Sequence, residues 1–295
     1  MEETNGIQNW DLVIRTILFS LGALLHGLGF TILYRSNMQL RNQRLILMNL
    51  SFAQFSFSIN RLTSAICIDR YQQEKCRYIT SFSDCIFAMS YKFFMLHLII
   101  DKTCHVYFHL RYPTIFTQRV LKSLLCSVWF LNTLLGFGAV LLEIADAISF
   151  GSIYLFLLKL YLSADLLILI TTILSFMYLV NKVRNIIRKD HEKSHRVSMR
   201  GQMKHSLILP VLMTSTYIIF NLTASVMVYH RVITQELHGL SVWRSLEKVF
   251  IALGIISDGL IYTFLQKHVR ATICKWFRYV GGTHGISPTI QLQKI

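Results

Sequence analysis

The side chains in this chain best able to do chemistry are ionisable ones set inside long apolar stretches: Arg61, Asp84, Lys92, Lys159, Asp165, Glu247 and Lys248. A charge in hydrocarbon costs at least about 2.5–3.5 kcal/mol on insertion scales, so such residues mark binding sites, internal pairs or relays. Asp84 has two open readings, a ligand anchor or one half of an ion pair with Lys248. Arg61 and Lys159, near the outer mouth, could meet a carboxylate or phosphate, or could extend their heads to the interface. Lys92 lies deeper and needs a partner, while Asp165 and Glu247 offset part of the positive charge. The candidate ligand-binding set is therefore Asp84, Lys248, Arg61, Lys159 and Asp165.

A second pattern has metal-ligand types. His97, Asp101, His105 and His109 recur at helical spacing and could face one way. Membrane metal-dependent oxidases bring several such histidine groups together, whereas the other histidines here, from His26 to His284, are scattered. An intramembrane metalloenzyme is thus a remote alternative. No Ser/His/Asp set, P-loop or Gly-rich dinucleotide fingerprint occurs. We expect no catalysis, no cofactor and no resident metal.

The elements that must position these residues are membrane-length helices. Apolar stretches run about 11–34, 45–68, 82–107, 120–142, 150–181, 206–230 and 246–266, each near the ~20 residues that cross hydrocarbon as a helix. With 53% hydrophobic and only 15% charged residues, the chain is too apolar for an ordinary soluble domain of its length. The intervening charges set a direction. Arg35, Arg41 and Arg44, then Lys102, Arg111, Arg119 and Lys122, then the basic run from Lys182 to Lys204, and finally the tail from Lys267 onward all fall on one side. Nearly the whole formal charge of +15 lies there, which is the positive-inside distribution and argues against nucleic-acid binding. The N-terminus is expected outside and the C-terminus in the cytosol.

Other features narrow the class. Met1 to Trp10 has no basic n-region or cleavage motif, so no removable signal peptide is read. The sequons Asn49-Leu50-Ser51 and Asn221-Leu222-Thr223 fall within spans, out of reach of glycosylation. The odd span count and the lack of repeats argue against an inverted-repeat transporter. Pro210 alone among the prolines lies in a span, near the inner end of the sixth, where a kink is expected. Cys67 and Cys76 flank the first outer loop and could bridge in an oxidising compartment. Cys85, Cys104 and Cys126 read as small buried residues, and Cys274 as a palmitoylation candidate or a buried thiol.

Several passages carry a family resemblance. Asp101-Lys102-Thr103 continuing to Leu110-Arg111-Tyr112-Pro113 resembles the Asp-Arg-Tyr…Leu-Arg-Tyr-Pro passage of rhodopsin-like (class A) G-protein-coupled receptors. Asn49-Leu50-Ser51-Phe52-Ala53-Gln54 is similar to their second-span motif, Trp129 to the fourth-span tryptophan, Tyr178 to the fifth-span tyrosine, and Asp258-Gly259-Leu260-Ile261-Tyr262 to the (Asn/Asp)-Pro-x-x-Tyr motif. The resemblance implies an all-α membrane protein, a seven-transmembrane helix bundle with a short amphipathic eighth helix. Its parts would be an extracellular N-terminus (1–10), the receptor domain (11–266), the amphipathic helix (267–280) and a short cytoplasmic tail (281–295). It further implies that Asp101, Lys102, Tyr178, Asp258 and Tyr262 serve activation and G-protein coupling. Asp84 would then stand where amine-binding receptors place the carboxylate for a ligand ammonium, although Val249 and Ala252 leave the aromatic enclosure incomplete.

The departures are specific. Lys102 replaces an arginine, losing its planar fork. Gln54 replaces the sodium-site acid, Phe30 the first-span asparagine and Gly259 the seventh-span proline, and no Cys-Trp-x-Pro switch occurs in the sixth span. The outer loop from Glu143 to Ser149 has no cysteine for the family's usual bridge. Ala252 stands where opsins carry the retinal lysine, which excludes an opsin. Val183 to Met203 reads as a basic continuation of the fifth span, suited to an acidic partner or anionic lipid, or required merely for orientation. The expected function is a divergent receptor in the plasma membrane that binds an unidentified extracellular ligand and engages a heterotrimeric G protein, with a chemosensory role and a receptor dimer among the options. A receptor-like scaffold or heteromer partner is the alternative, motivated by Lys102.

Overall fold

The computed structural model describes residues 2–35, 41–66, 75–108, 112–147, 151–191, 197–233 and 242–265. Among these the architecture is entirely helical: α1 (Glu2–Arg35), α2 (Arg41–Ser64), α3 (Lys75–Phe108), the single turn α4 (Tyr112–Ile115), α5 (Gln118–Ala147), α6 (Gly151–His191), α7 (Val197–Ile233) and α8 (Val242–Leu265). Seven are long, and five of those, α1, α3, α5, α6 and α7, contain a stretch long and apolar enough to cross a membrane. The two others, α2 and α8, are diluted by polar residues. Ser51, Gln54, Ser58 and Asn60 of α2 and Asp258 of α8 are all buried among the helices, and Gln54, Asn60 and Asp258 bond to neighbouring helices there.

Helix bounds depart from the apolar stretches in an informative way. α1 starts at Glu2, so the polar 2–10 segment continues the helix instead of preceding it. α6 ends at His191 and α7 begins at Val197, so the basic segment 183–203 is divided between two helices and does not simply extend the fifth. Pro210 sits inside α7, well past its first turns. The amphipathic segment 267–280, the tail 281–295, Cys67, Cys274, His109, Arg111 and the side chains of Cys76 and Lys159 lie outside the described residues.

α3 is the hub, packed against α2, α5, α6 and α7, while α1 and α8 close the ring beside α2 and α7. The main core joins Leu33, Leu47, Leu50, Phe94, Leu98, Met213, Tyr217 and Tyr262, and a second core joins Phe19, Phe57, Ala252 and Ile255. Large apolar side chains such as Ile17, Leu24, Phe130, Leu141, Leu167, Leu174 and Val226 face outward. An apolar exterior of this kind suits hydrocarbon surroundings, and polar groups inside the bundle are placed where they can bond between helices.

Candidate functional site

Among the described residues, polar junctions tie the helices together, and four of them involve α3, from its N-terminal to its C-terminal half. At the first, Asp84 of α3 accepts from Asn60 Nδ2 at 2.7 Å and forms an ion pair with Arg61 Nη2 at 3.0 Å. Asn60 also donates to the carbonyl of Thr80, which fixes it between α2 and α3. The Arg61 guanidinium lies over the Phe57 ring, 5.0 Å from its centroid. Lys248, expected on the same wall, is half-buried in α8.

Two turns deeper, Lys92 finds its partner. Its ammonium pairs with Asp165 of α6, whose other oxygen accepts from Ser225 of α7 at 3.3 Å. Asp165 therefore serves an internal pair between α3 and α6 instead of standing open to a ligand. Intramembrane charges pair in this way because each alone would be costly to bury.

The third junction surrounds Asp258, which is fully buried in α8. Its carboxylate accepts from Gln54 Nε2 at 2.8 Å, Tyr91 OH at 3.1 Å and Thr216 Oγ1 at 2.9 Å. Asn221 of α7 donates in turn to the Tyr91 oxygen at 3.3 Å. Four helices, α2, α3, α7 and α8, thus converge on one carboxylate through neutral donors. Tyr262, one turn on, is buried and packs against Gly29 of α1.

Near the C-terminal end of α3, Lys102 lies 3.4 Å from Asp101 and donates to Gln43 Oε1 of α2 at 3.0 Å. Asp101 also accepts from the Tyr112 hydroxyl of α4, and Asn42 of α2 binds both that hydroxyl and the Phe116 carbonyl. Burial, and then the Asp101 carboxylate beside it, holds the Tyr112 phenol above the ordinary tyrosine range, so it remains a donor. Lys102 and Asp101 are both buried, and the ammonium is turned into the bundle.

Of the residues expected to serve activation, Asp101 pairs with Lys102, and Asp258 and Tyr262 share the seventh long helix. Tyr178 stands apart, 47% exposed on the lipid-facing side of α6. Of the described members of the histidine stripe, His97 bonds back to the Phe93 carbonyl, and His105 sits edge-on to Tyr112. Among the described residues no three His, Cys, Asp or Glu side chains gather as a metal set. Gln43, Asn60, Tyr91, Thr216, Asn221 and Ser225 escaped the sequence reading. The only signal for them was polarity within an apolar stretch, which does not say which helix each one faces.

The fold defines an all-helical protein of membrane-spanning type, with buried polar junctions along its length. No family model matches the chain, and no curated protein matches it.

Proposed function

We propose that the chain is a divergent rhodopsin-like G-protein-coupled receptor of the plasma membrane, its N-terminus extracellular and its C-terminus cytoplasmic. It binds a ligand in the outer half of the bundle and signals through a heterotrimeric G protein at the inner end. The observation that carries this reading is the pairing of the motif residues with one another. Asn49 accepts from the Trp129 indole at 2.8 Å, Gln54 donates to Asp258, and Asp101 accepts from Tyr112. Positions matched independently along the chain, from the second span to the seventh, thereby become direct contacts. Chance motif fragments would have no reason to meet.

The inner junction supplies a resting state. Lys102 is held inward by Asp101 and Gln43, and engaging a transducer requires breaking both contacts so that the ammonium can reach the cytosolic mouth. Lysine delivers a point charge there in place of a bidentate fork. The same contacts favour the scaffold alternative if they are never released. A ligand screen on cells carrying a promiscuous second-messenger reporter, with the native chain beside Lys102→Arg, separates the two. Comparable ligand-dependent output from both chains is expected; output confined to the arginine variant would replace the receptor reading with the silent scaffold.

A further inference from the structure

We infer that Arg61 is the anion-recognition group of the outer bundle, so that the ligand carries a carboxylate or phosphate and Asp84 is a positioning residue rather than an anchor for an amine. The inference rests on the reading of the outer half as a ligand site, and it names the ligand's chemistry.

Both oxygens of Asp84 are engaged from α2, one by the Asn60 amide and the other by Arg61. An incoming ammonium would have to displace a guanidinium and an amide to reach this carboxylate. Arg61 is differently placed. Its Nη2 is committed to Asp84, yet its Nε is buried and has no acceptor among the described residues. A buried donor left without an acceptor carries a desolvation penalty that a bound anion would relieve. A carboxylate or phosphate oxygen is the acceptor that this single charged N–H would take most strongly.

Rigidity strengthens the argument. The guanidinium is gripped by Asp84 on one side and seated on Phe57, which packs with Phe19, Ala252 and Ile255. Little further ordering of Arg61 is needed on binding, which preserves affinity. The ring beneath it stabilises the cation without neutralising it.

The test uses the purified full-length chain in phosphatidylcholine nanodiscs, with thermal unfolding followed in decanoate, decyl phosphate or decylamine. Decanoate or decyl phosphate should stabilise the native protein and Asp84→Asn, and the stronger of the two identifies the headgroup. Arg61→Gln should bind that probe on the order of tenfold more weakly. Arg61→Lys, which keeps the charge and can keep Asp84 paired, should fall between them and guards against misfolding as the cause. Anion binding equal in the native chain and both Arg61 variants overturns the inference, as does decylamine binding that Asp84→Asn abolishes. Arg61-dependent anion binding by a chain with no second-messenger output would sink the signalling proposal and uphold this one.

Discussion

Asp258 receives hydrogen bonds from Gln54, Tyr91 and Thr216, so its substitution is felt on four helices at once. Asp258→Leu strands those donors in the core at about 1–3 kcal/mol each, with relaxation lowering the sum. The expected outcome is a loss of roughly 3 kcal/mol in thermal unfolding of the detergent-solubilised protein, with Asp258→Asn costing less because it retains one acceptor oxygen. Lys92 and Asp165 behave as a unit. Removing either alone leaves a buried charge and should cost about 3 kcal/mol, whereas Lys92→Met with Asp165→Leu should recover most of it. A double variant no better than the worse single one would argue against the pair. At the inner end, Asp101→Asn removes the counter-charge of Lys102 and weakens the resting arrangement. A loss of about 1–2 kcal/mol multiplies a minority conformer roughly five- to thirtyfold, so ligand-independent output should rise on that scale in the reporter cells. Both charges of the deeper pair were legible as intramembrane residues. Their partnership was not, because α3 and α6 are distant in sequence and nothing in either segment specifies the facing helix.

Close helix approach rests on glycine at a few positions. A Cβ at Gly259 would stand 2.9 Å from Leu25 Cβ, and one at Gly29 would stand 2.8 Å from the Tyr262 ring, so α1 and α8 touch where larger residues would hold them apart. This gives a structural reason for glycine where the resemblance expects proline: the helix continues through 259 and packs tightly against α1. Gly259→Ala should destabilise the protein by about 1–3 kcal/mol through overpacking. Gly138→Ala, with nothing within 4 Å of the new methyl, is the matched control and should be neutral or slightly stabilising on helix propensity. The seven long helices among the described residues match the seven apolar stretches in number, but only five of them are long and apolar enough to cross a membrane. Their ends were not legible. α1 and α6 extend beyond any apolar stretch as helices, and hydropathy is blind to helix that continues into water or headgroups.

Across the whole molecule, two distributions agree without sharing residues. The outward-facing belt of Ile17, Phe130, Leu141, Leu167 and Val226 calls for hydrocarbon around the bundle, and on the proposed reading the basic connections would select which end faces the cytosol. The polar junctions then run from the Arg61–Asp84 ion pair, through Lys92–Asp165 and Asp258, to the buried Lys102. A ligand above and a transducer below would act on the same α3, which contributes Asp84, Tyr91, Lys92, Asp101 and Lys102 to those junctions. That arrangement depends on an odd number of crossings. The most direct test places a protease-cleavable tag at each end of the full-length chain and exposes sealed, right-side-out vesicles to the protease. The N-terminal tag should be cleaved at once and the C-terminal tag only after the membrane is permeabilised; cleavage of both tags before permeabilisation, or of neither, would contradict the account.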